Sequence, residues 1–168
     1  PYQSIESAQK NNLFNIGESQ VKEAEKKIKN TTNLSKSKFH LIGHLQSNKT
    51  HRANKIFNII QSIDSARLLK KLNLVAQKNK NIQEIFLQVN VSNNKNQKGF
   101  LEEEIFTAAE YASTLSNLKL SGIMAIGPNT TNKKKIQTDF NKVKKIQKKI
   151  QKEINQDCFN LSIGMSQD

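Results

Sequence analysis

A chain of 168 residues is long enough to form one domain with a buried core, although its apolar fraction is only 35%. Its single cysteine, Cys158, excludes an intrachain disulfide, and no segment approaches the roughly 20 apolar residues needed to span a bilayer. We therefore expect a single-domain protein of a reducing, cytoplasmic compartment with no membrane partner.

The formal net charge of +13 suggests a nucleic-acid partner. However, the only arginines among the 27 basic residues are Arg52 and Arg67, and there is no tryptophan to stack on bases. The lysines are spread over every segment of the chain. A solvated lysine surface is the favoured interpretation, and a basic nucleic-acid-binding module remains an alternative.

Hydrophobic periodicity predicts helices alternating with strands along the chain. Helices are expected over residues 3–12, 18–29, 47–56, 66–75, 102–115 and 133–155, and strands over residues 13–16, 39–42, 58–63, 84–91, 118–126 and 158–163. The lysine-rich segment 133–155 is read as an amphipathic helix because its apolar residues recur at helical spacing. Ser47 is a plausible N-cap, and either Asp64 or Ser65 caps the following helix.

Strands joined by connections of helical length must run parallel, because a hairpin cannot contain a helix. Six such strands fit either an open doubly wound sheet or part of an eight-stranded barrel, and the pattern alone does not separate the two. The sequence has neither a GxGxxG nor a GxxxxGK[ST] motif. Dinucleotide binding and P-loop nucleotide binding are therefore not supported.

Small and polar residues gather where the predicted strands end. They occupy positions 17–19, 40, 43–49, 62–65, 90–92, 124 and 162–168. In a parallel barrel all of these positions face one mouth, where ligands bind. The small residues from Ser162 to Ser166 would also allow backbone N–H groups to approach a phosphate.

Five of these segments form motifs that occur in a fixed order along the chain. They read IGESQVKEAEKK from Ile16, FHLIGHLQSNK from Phe39, QSIDS from Gln61, GIMAI from Gly122 and LSIGMSQD from Leu161. Together they resemble the pyridoxal phosphate homeostasis protein family, over essentially the whole chain.

This resemblance implies an α/β fold, an incomplete (β/α)8 TIM barrel similar to the N-terminal domain of alanine racemase. About six of the eight strands would be present, in a single barrel domain over residues 1–168. The implied function is binding and homeostasis of pyridoxal 5′-phosphate (PLP) without catalytic turnover. The implied partners are PLP itself and PLP-dependent apo-enzymes, with no specific nucleic acid, and we expect a monomer.

The resemblance also implies which residues bind the cofactor. They are Ser19, His40, Gly43, Asn48, Met124, Ser162, Gly164, Met165 and Ser166. No catalytic residue and no metal ligand is expected. Ser19 departs from the family, which usually has asparagine there, and its hydroxyl cannot offer both an amide donor and a carbonyl acceptor. The family's Schiff-base lysine would lie upstream of Pro1 and its last strand after Asp168, so both are expected to be absent from this chain.

A PLP-dependent amino-acid racemase or decarboxylase is the main alternative. Such an enzyme would need a second acid/base, usually a tyrosine, and Tyr2 and Tyr111 both lie outside the mouth motifs. Lys49 could replace the missing amine only if burial or neighbouring cations activated it, and its sequence surroundings show neither. Cys158 has no evident base beside it and is expected to pack inertly in the core.

Overall fold

The computed structural model describes residues 2–31, 34–92, 97–128 and 130–164. Within these ranges the chain alternates between six α-helices and six β-strands. The helices are α1 (Gln3–Lys10), α2 (Val21–Asn30), α3 (Thr50–Ile56), α4 (Ala66–Lys78), α5 (Ile105–Ser113) and α6 (Lys133–Glu153), and the strands are β1 (Asn15–Glu18), β2 (Lys38–Leu41), β3 (Ile59–Ile63), β4 (Gln83–Gln88), β5 (Leu118–Ile126) and β6 (Asn160–Gly164). A short 3₁₀ turn, Ser47–Lys49, precedes α3.

The described strands form one sheet in which every neighbouring pair is parallel. Their order across the sheet is the order along the chain, from β1 to β6. A doubly wound sheet would contain a point where the strand order reverses, and this sheet contains none over the described strands. The topology is therefore that of a barrel.

The sheet is strongly curled. Neighbouring strands lie roughly 4.8 Å apart, so β3 and β6 would be separated by roughly 14 Å in a flat sheet. Yet the Ser162 hydroxyl of β6 donates a hydrogen bond of 2.7 Å to Oε1 of Gln61 on β3, across the concave face. Register shifts in the β3/β4 and β4/β5 pairs contribute, because bulges bend strands. The described part of the chain is thus an incomplete barrel, as expected.

The convex face of the sheet packs against the helices in one large apolar cluster. On β5, Leu120 and Ile123 belong to this cluster, whereas Met124 points to the concave face and packs with Ile59 and Phe86. The amphipathic interpretation of α6 is confirmed, since Ile146 and Ile150 are buried against the sheet and its lysines lie on the opposite side. Among the described residues, no helix is long and apolar enough to cross a membrane.

The first strand begins two residues later than expected. Asn12 adopts a left-handed conformation with φ of 59°, and the amide of Leu13 bonds back to the carbonyl of Ala8. Leu13 therefore closes α1 and is 62% exposed instead of lying in a buried strand. Gly17, expected to follow the strand, lies within it.

Two helix starts also differ from the sequence pattern. Ser47 provides no side-chain cap, because the chain first makes the 3₁₀ turn and α3 begins only at Thr50. Between the two candidates for the cap of α4, the structure selects Ser65, whose hydroxyl accepts from the amide of Leu68 at 3.3 Å. Asp64 instead pairs with His44, with 3.0 Å between Oδ2 and Nδ1.

Candidate functional site

A cleft of about 350 Å³ opens at the carboxyl ends of the strands. Its walls come from the segments that follow β1 and β2 and from the ends of β5 and β6, which the curl of the sheet brings face to face. Five of the residues expected to bind cofactor line it, namely Ser19, Gly43, Met124, Ser162 and Gly164. These residues come from four separate motifs, and the fold brings them together.

Gly43 holds one wall of the cleft in place. A Cβ atom at Gly43 would collide with the backbone carbonyl oxygen of Ser19, so the segment after β2 lies directly against the segment after β1. The amide of Ile42 bonds to the carbonyl of Glu18 at 3.0 Å and extends this contact. The position of Ser19 in the cleft therefore depends on a glycine at 43.

The opposite wall is more open. A Cβ atom built on Gly164 would meet no atom of the described residues within 4 Å. Ile126 and Ile163 beside it are 37% and 40% exposed. Small residues and free space at this wall allow a ligand to approach the backbone.

A chain of four polar side chains runs across the concave face to the cleft. Nε2 of His40 lies 3.4 Å from Oδ1 of Asn15, and its Nδ1 lies 2.9 Å from Nε2 of Gln61. Oε1 of Gln61 then accepts the hydroxyl hydrogen of Ser162 at 2.7 Å. His40 thus reaches the cleft through Gln61 rather than lining it.

Burial lowers the pKa of His40 below its ordinary value of 6.5, the Glu84 carboxylate partly offsets this, and Lys38 lowers it further. The ring is therefore neutral at pH 7, with one nitrogen that donates and one that accepts. Because the Gln61 amide donates to Nδ1, the imidazole hydrogen resides on Nε2 and points to Asn15. Each of the three contacts in the chain then joins one donor to one acceptor.

Of the other expected residues, Asn48 lies outside the cleft. Asn48 lies exposed on the 3₁₀ turn and is not part of the cleft lining. Met165 and Ser166 lie outside the described residues. Lys49 is half-buried and likewise does not line the cleft.

Gln61 is the residue that sequence reasoning missed. It stands inside the QSIDS motif, one residue before the small and polar residues 62–65 expected at the end of the strand. The available signal was a polar side chain in the middle of the apolar strand IIQSI, two residues after Ile59 and hence on the same face. Gln61 is only 7% exposed, and buried amides in strands are normally held by specific partners.

Fold and cleft together define an incomplete parallel β/α barrel with a cleft at its mouth. Residues 3–168 match the family model described as "Alanine racemase, N-terminal domain", so the chain belongs to this domain family. The structure of alanine racemase from Clostridium difficile 630 superposes with a TM-score of 0.79 at 11% identity, covering 98% of this chain and 41% of that one. At this identity the likeness concerns the fold alone.

Closer relatives specify the family further. The pyridoxal phosphate homeostasis protein of Haemophilus influenzae is 31% identical and aligns with all of this chain and 72% of its own length. That of Synechocystis is 30% identical over 98% of this chain and 75% of its own length. The structure of PipY from Synechococcus elongatus without PLP has a TM-score of 0.93 at 29% identity, covering 100% of this chain and 79% of that one. The chain is a member of the pyridoxal phosphate homeostasis protein family.

The lining of the cleft fits a phosphorylated pyridine. Ile42, Met124 and Ile126 offer apolar contact to a flat ring, and the hydroxyls and small residues offer room and hydrogen bonds to a phosphate. No lysine is present among the described lining residues, so the part of the site seen here provides non-covalent contacts.

Proposed function

We propose that this chain binds PLP in the cleft between Ser19, Gly43, Met124, Ser162 and Gly164, and holds the cofactor without turning over a substrate. The observation that carries the proposal is the convergence of these residues, from four separate motifs, at the carboxyl ends of parallel strands. The PipY structure with PLP bound supports it, since its chain has a TM-score of 0.90 with this one.

Each part of the cleft has a separate task in this proposal. The side chains of Ile42, Met124 and Ile126 cover the ring and exclude water from it. Ser162 and the backbone near Gly164 hold the phosphate, and the net charge of +13 attracts a dianion from solution. When bound, PLP supplies an aldehyde that reacts reversibly with amines.

A holding function is favoured over racemisation by the position of the tyrosines. Racemisation requires a second acid/base on the far side of the substrate. Tyr2 precedes α1 and Tyr111 lies on α5, and neither is among the described residues that line the cleft. His40 does not fill this role, because both ring nitrogens are engaged by Asn15 and Gln61.

Release of the cofactor completes the proposed function. We infer that the protein passes PLP to apo-enzymes that depend on it, acting as a monomer in the cytoplasm. Transfer would be measured as the activity that an apo-aminotransferase gains from the loaded chain in the presence of a trap for free PLP.

Calorimetric titration of the 168-residue chain with PLP tests the binding step. We expect saturable binding at one site, weaker binding of pyridoxal, which lacks the phosphate, and a loss of affinity in Ser162→Ala. Removing one hydrogen bond to a charged group costs about 1.5–3 kcal/mol, which corresponds to a decrease of about tenfold to a hundredfold.

Ser7→Ala is the matched control, because Ser7 lies exposed on α1 and is not part of the cleft lining. Equal affinities of the parent chain, Ser162→Ala and Ser7→Ala for PLP would show that the cleft is not the binding site. Formation of D-alanine from L-alanine by the loaded chain would contradict the assignment as a non-catalytic protein.

A further inference from the structure

In the ligand-free chain, the hydroxyl of Ser162 has no hydrogen available to donate to a phosphate. A serine hydroxyl has one hydrogen to donate, and Ser162 donates it to Oε1 of Gln61 at 2.7 Å. Toward the cleft, Ser162 can therefore only accept hydrogen bonds. A phosphate dianion also only accepts, so this arrangement gives the two groups no hydrogen bond.

A half-turn of the Gln61 amide removes this conflict. Nε2 of Gln61 would then donate to Ser162, and the hydroxyl hydrogen of Ser162 would be free to point into the cleft. The same rotation places Oε1 of Gln61 opposite Nδ1 of His40, where Nε2 now lies at 2.9 Å. An oxygen at that place requires a hydrogen on Nδ1, which the neutral Nε2–H form of His40 lacks. The neutral Nδ1–H form has that hydrogen, but its bare Nε2 would then face Oδ1 of Asn15, which is also an acceptor.

A protonated His40 satisfies every bond of the rotated arrangement. Its Nδ1–H donates to Gln61, and its Nε2–H keeps the contact with Oδ1 of Asn15, 3.4 Å away. One chain of hydrogen bonds thus connects the Ser162 hydroxyl to the His40 ring, and it couples the direction of the hydroxyl to the protonation of the ring. Among the described residues, the amide of Gln61 links them.

We propose that Gln61 is a positioning residue that couples protonation of His40 to the direction of the Ser162 hydroxyl, so that the cleft takes up a proton when it binds a phosphate dianion. This inference rests on the proposed function, because it assigns the phosphate of the ligand to Ser162. It adds a pH-linked specificity for phosphate esters over uncharged analogues of the same ring.

The charges around His40 are consistent with such a switch. Burial and Lys38 on β2 keep the pKa of His40 low, whereas the Glu84 carboxylate on β4 raises it. A dianion bound beyond Gln61 adds negative charge on the same face and so shifts the pKa upward, in the direction that the rotated amide requires.

NMR titration of the histidine rings tests the coupling in the unmodified sequence. The chain has three histidines, so the His40 signals can be assigned by comparison with His44→Gln and His51→Gln variants. Pyridoxine 5′-phosphate serves as the probe, because it keeps the phosphate and has no aldehyde to react with lysines. We expect the Nε2–H form in the free chain and a higher His40 pKa in the complex. Bound probe with an unchanged His40 pKa overturns the proposal.

Gln61→Met separates the coupling from binding itself. Methionine keeps a similar length but lacks the amide, so we expect the probe to raise the His40 pKa less in this variant than in the parent chain, by the charge of the dianion alone. Calorimetry in two buffers of different ionisation enthalpy should show proton uptake on binding to the parent chain, after correction for the phosphate by its ³¹P shift, and less uptake in the variant. Equal uptake by Gln61→Met and the parent chain contradicts the role of Gln61.

Gln88→Met is the matched control. Gln88 is a buried glutamine on the neighbouring strand β4, and its amide donates to the carbonyl of Lys98 instead of to the polar chain. This variant should keep the shift of the His40 pKa, and its loss would overturn the proposal. Absence of probe binding at every pH would refute the proposed function, whereas binding without the shift would refute only the coupling.

Discussion

The two faces of the sheet differ in the side chains that they carry. The convex face contributes Leu41, Ile60, Ile85 and Ile123 to one continuous apolar cluster under the helices. The concave face has a small apolar cluster of three residues, together with the polar chain that ends at Ser162. Stability is therefore concentrated on the convex face, and the concave face is left free for ligand contacts. Neighbouring residues on one strand can test this division, because successive side chains point to opposite faces.

The largest expected effect comes from truncating the convex face. Ile123 is fully buried in the large cluster, and Ile123→Ala should lower the free energy of unfolding by about 3 kcal/mol, because it removes apolar contacts and leaves a cavity. Urea denaturation at pH 7.5 measures the change. PLP affinity, corrected for the unfolded fraction, should remain that of the parent chain.

Met124→Ala is the counterpart on the concave face. Met124 belongs to the small cluster with Ile59 and Phe86 and lines the cleft, so this variant should lose less stability than Ile123→Ala and more affinity for PLP. If the two variants lost stability equally and both kept full affinity, the division of roles between the faces would be wrong.

The second largest effect on stability is expected from a glycine substitution, and it differs between the two walls of the cleft. A methyl group at Gly43 would collide with the Ser19 carbonyl, and backbone cannot yield as a side chain can. Gly43→Ala should therefore cost about 2 kcal/mol, typical of overpacking, and weaken PLP binding by displacing Ser19. Thermal unfolding and the calorimetric titration measure the two changes.

Gly164→Ala is the control on the opposite wall, where a Cβ atom meets nothing among the described residues. It should leave the free energy of unfolding within about 0.5 kcal/mol of the parent value. Equal destabilisation by the two substitutions would mean that Gly43 is not packed more tightly than Gly164.

The convex face could be predicted from sequence far better than the concave one. Apolar periodicity placed β5 at the bounds the structure shows and identified α6 despite its lysines. It could not choose between an open sheet and a barrel, because curl depends on bulges at positions such as Ser121 and on contacts between β3 and β6 that no local pattern encodes.

The sequence motifs predict only part of the candidate site. Family motifs identified Ser19, Gly43 and Ser162, which the fold brings to one cleft. They also included Asn48, which lies exposed, because adjacency in a motif does not fix the direction of a side chain on a 3₁₀ turn. A polar residue in the middle of an apolar strand marks Gln61, but the sequence does not give its bonding partners, which lie 21 and 101 residues away along the chain.

The smallest effect concerns the polar chain of the concave face and appears as a pH dependence of stability. Burial holds the pKa of His40 in the folded chain below its ordinary value of 6.5. As pH falls through that value, the unfolded state binds a proton that the folded state does not, so this contribution is fully present above about pH 6.5 and is lost at lower pH. Urea denaturation at pH 7.5 and 5.5 should therefore show a larger loss of the free energy of unfolding for the parent chain than for His40→Gln. In this variant an amide replaces the titrating ring, and the contributions of the remaining groups cancel in the comparison.

Equal losses in the two proteins would show that His40 is not held neutral by the fold. Saturating pyridoxine 5′-phosphate should reduce the difference between them, because a protonated His40 is the form that the rotated Gln61 amide stabilises.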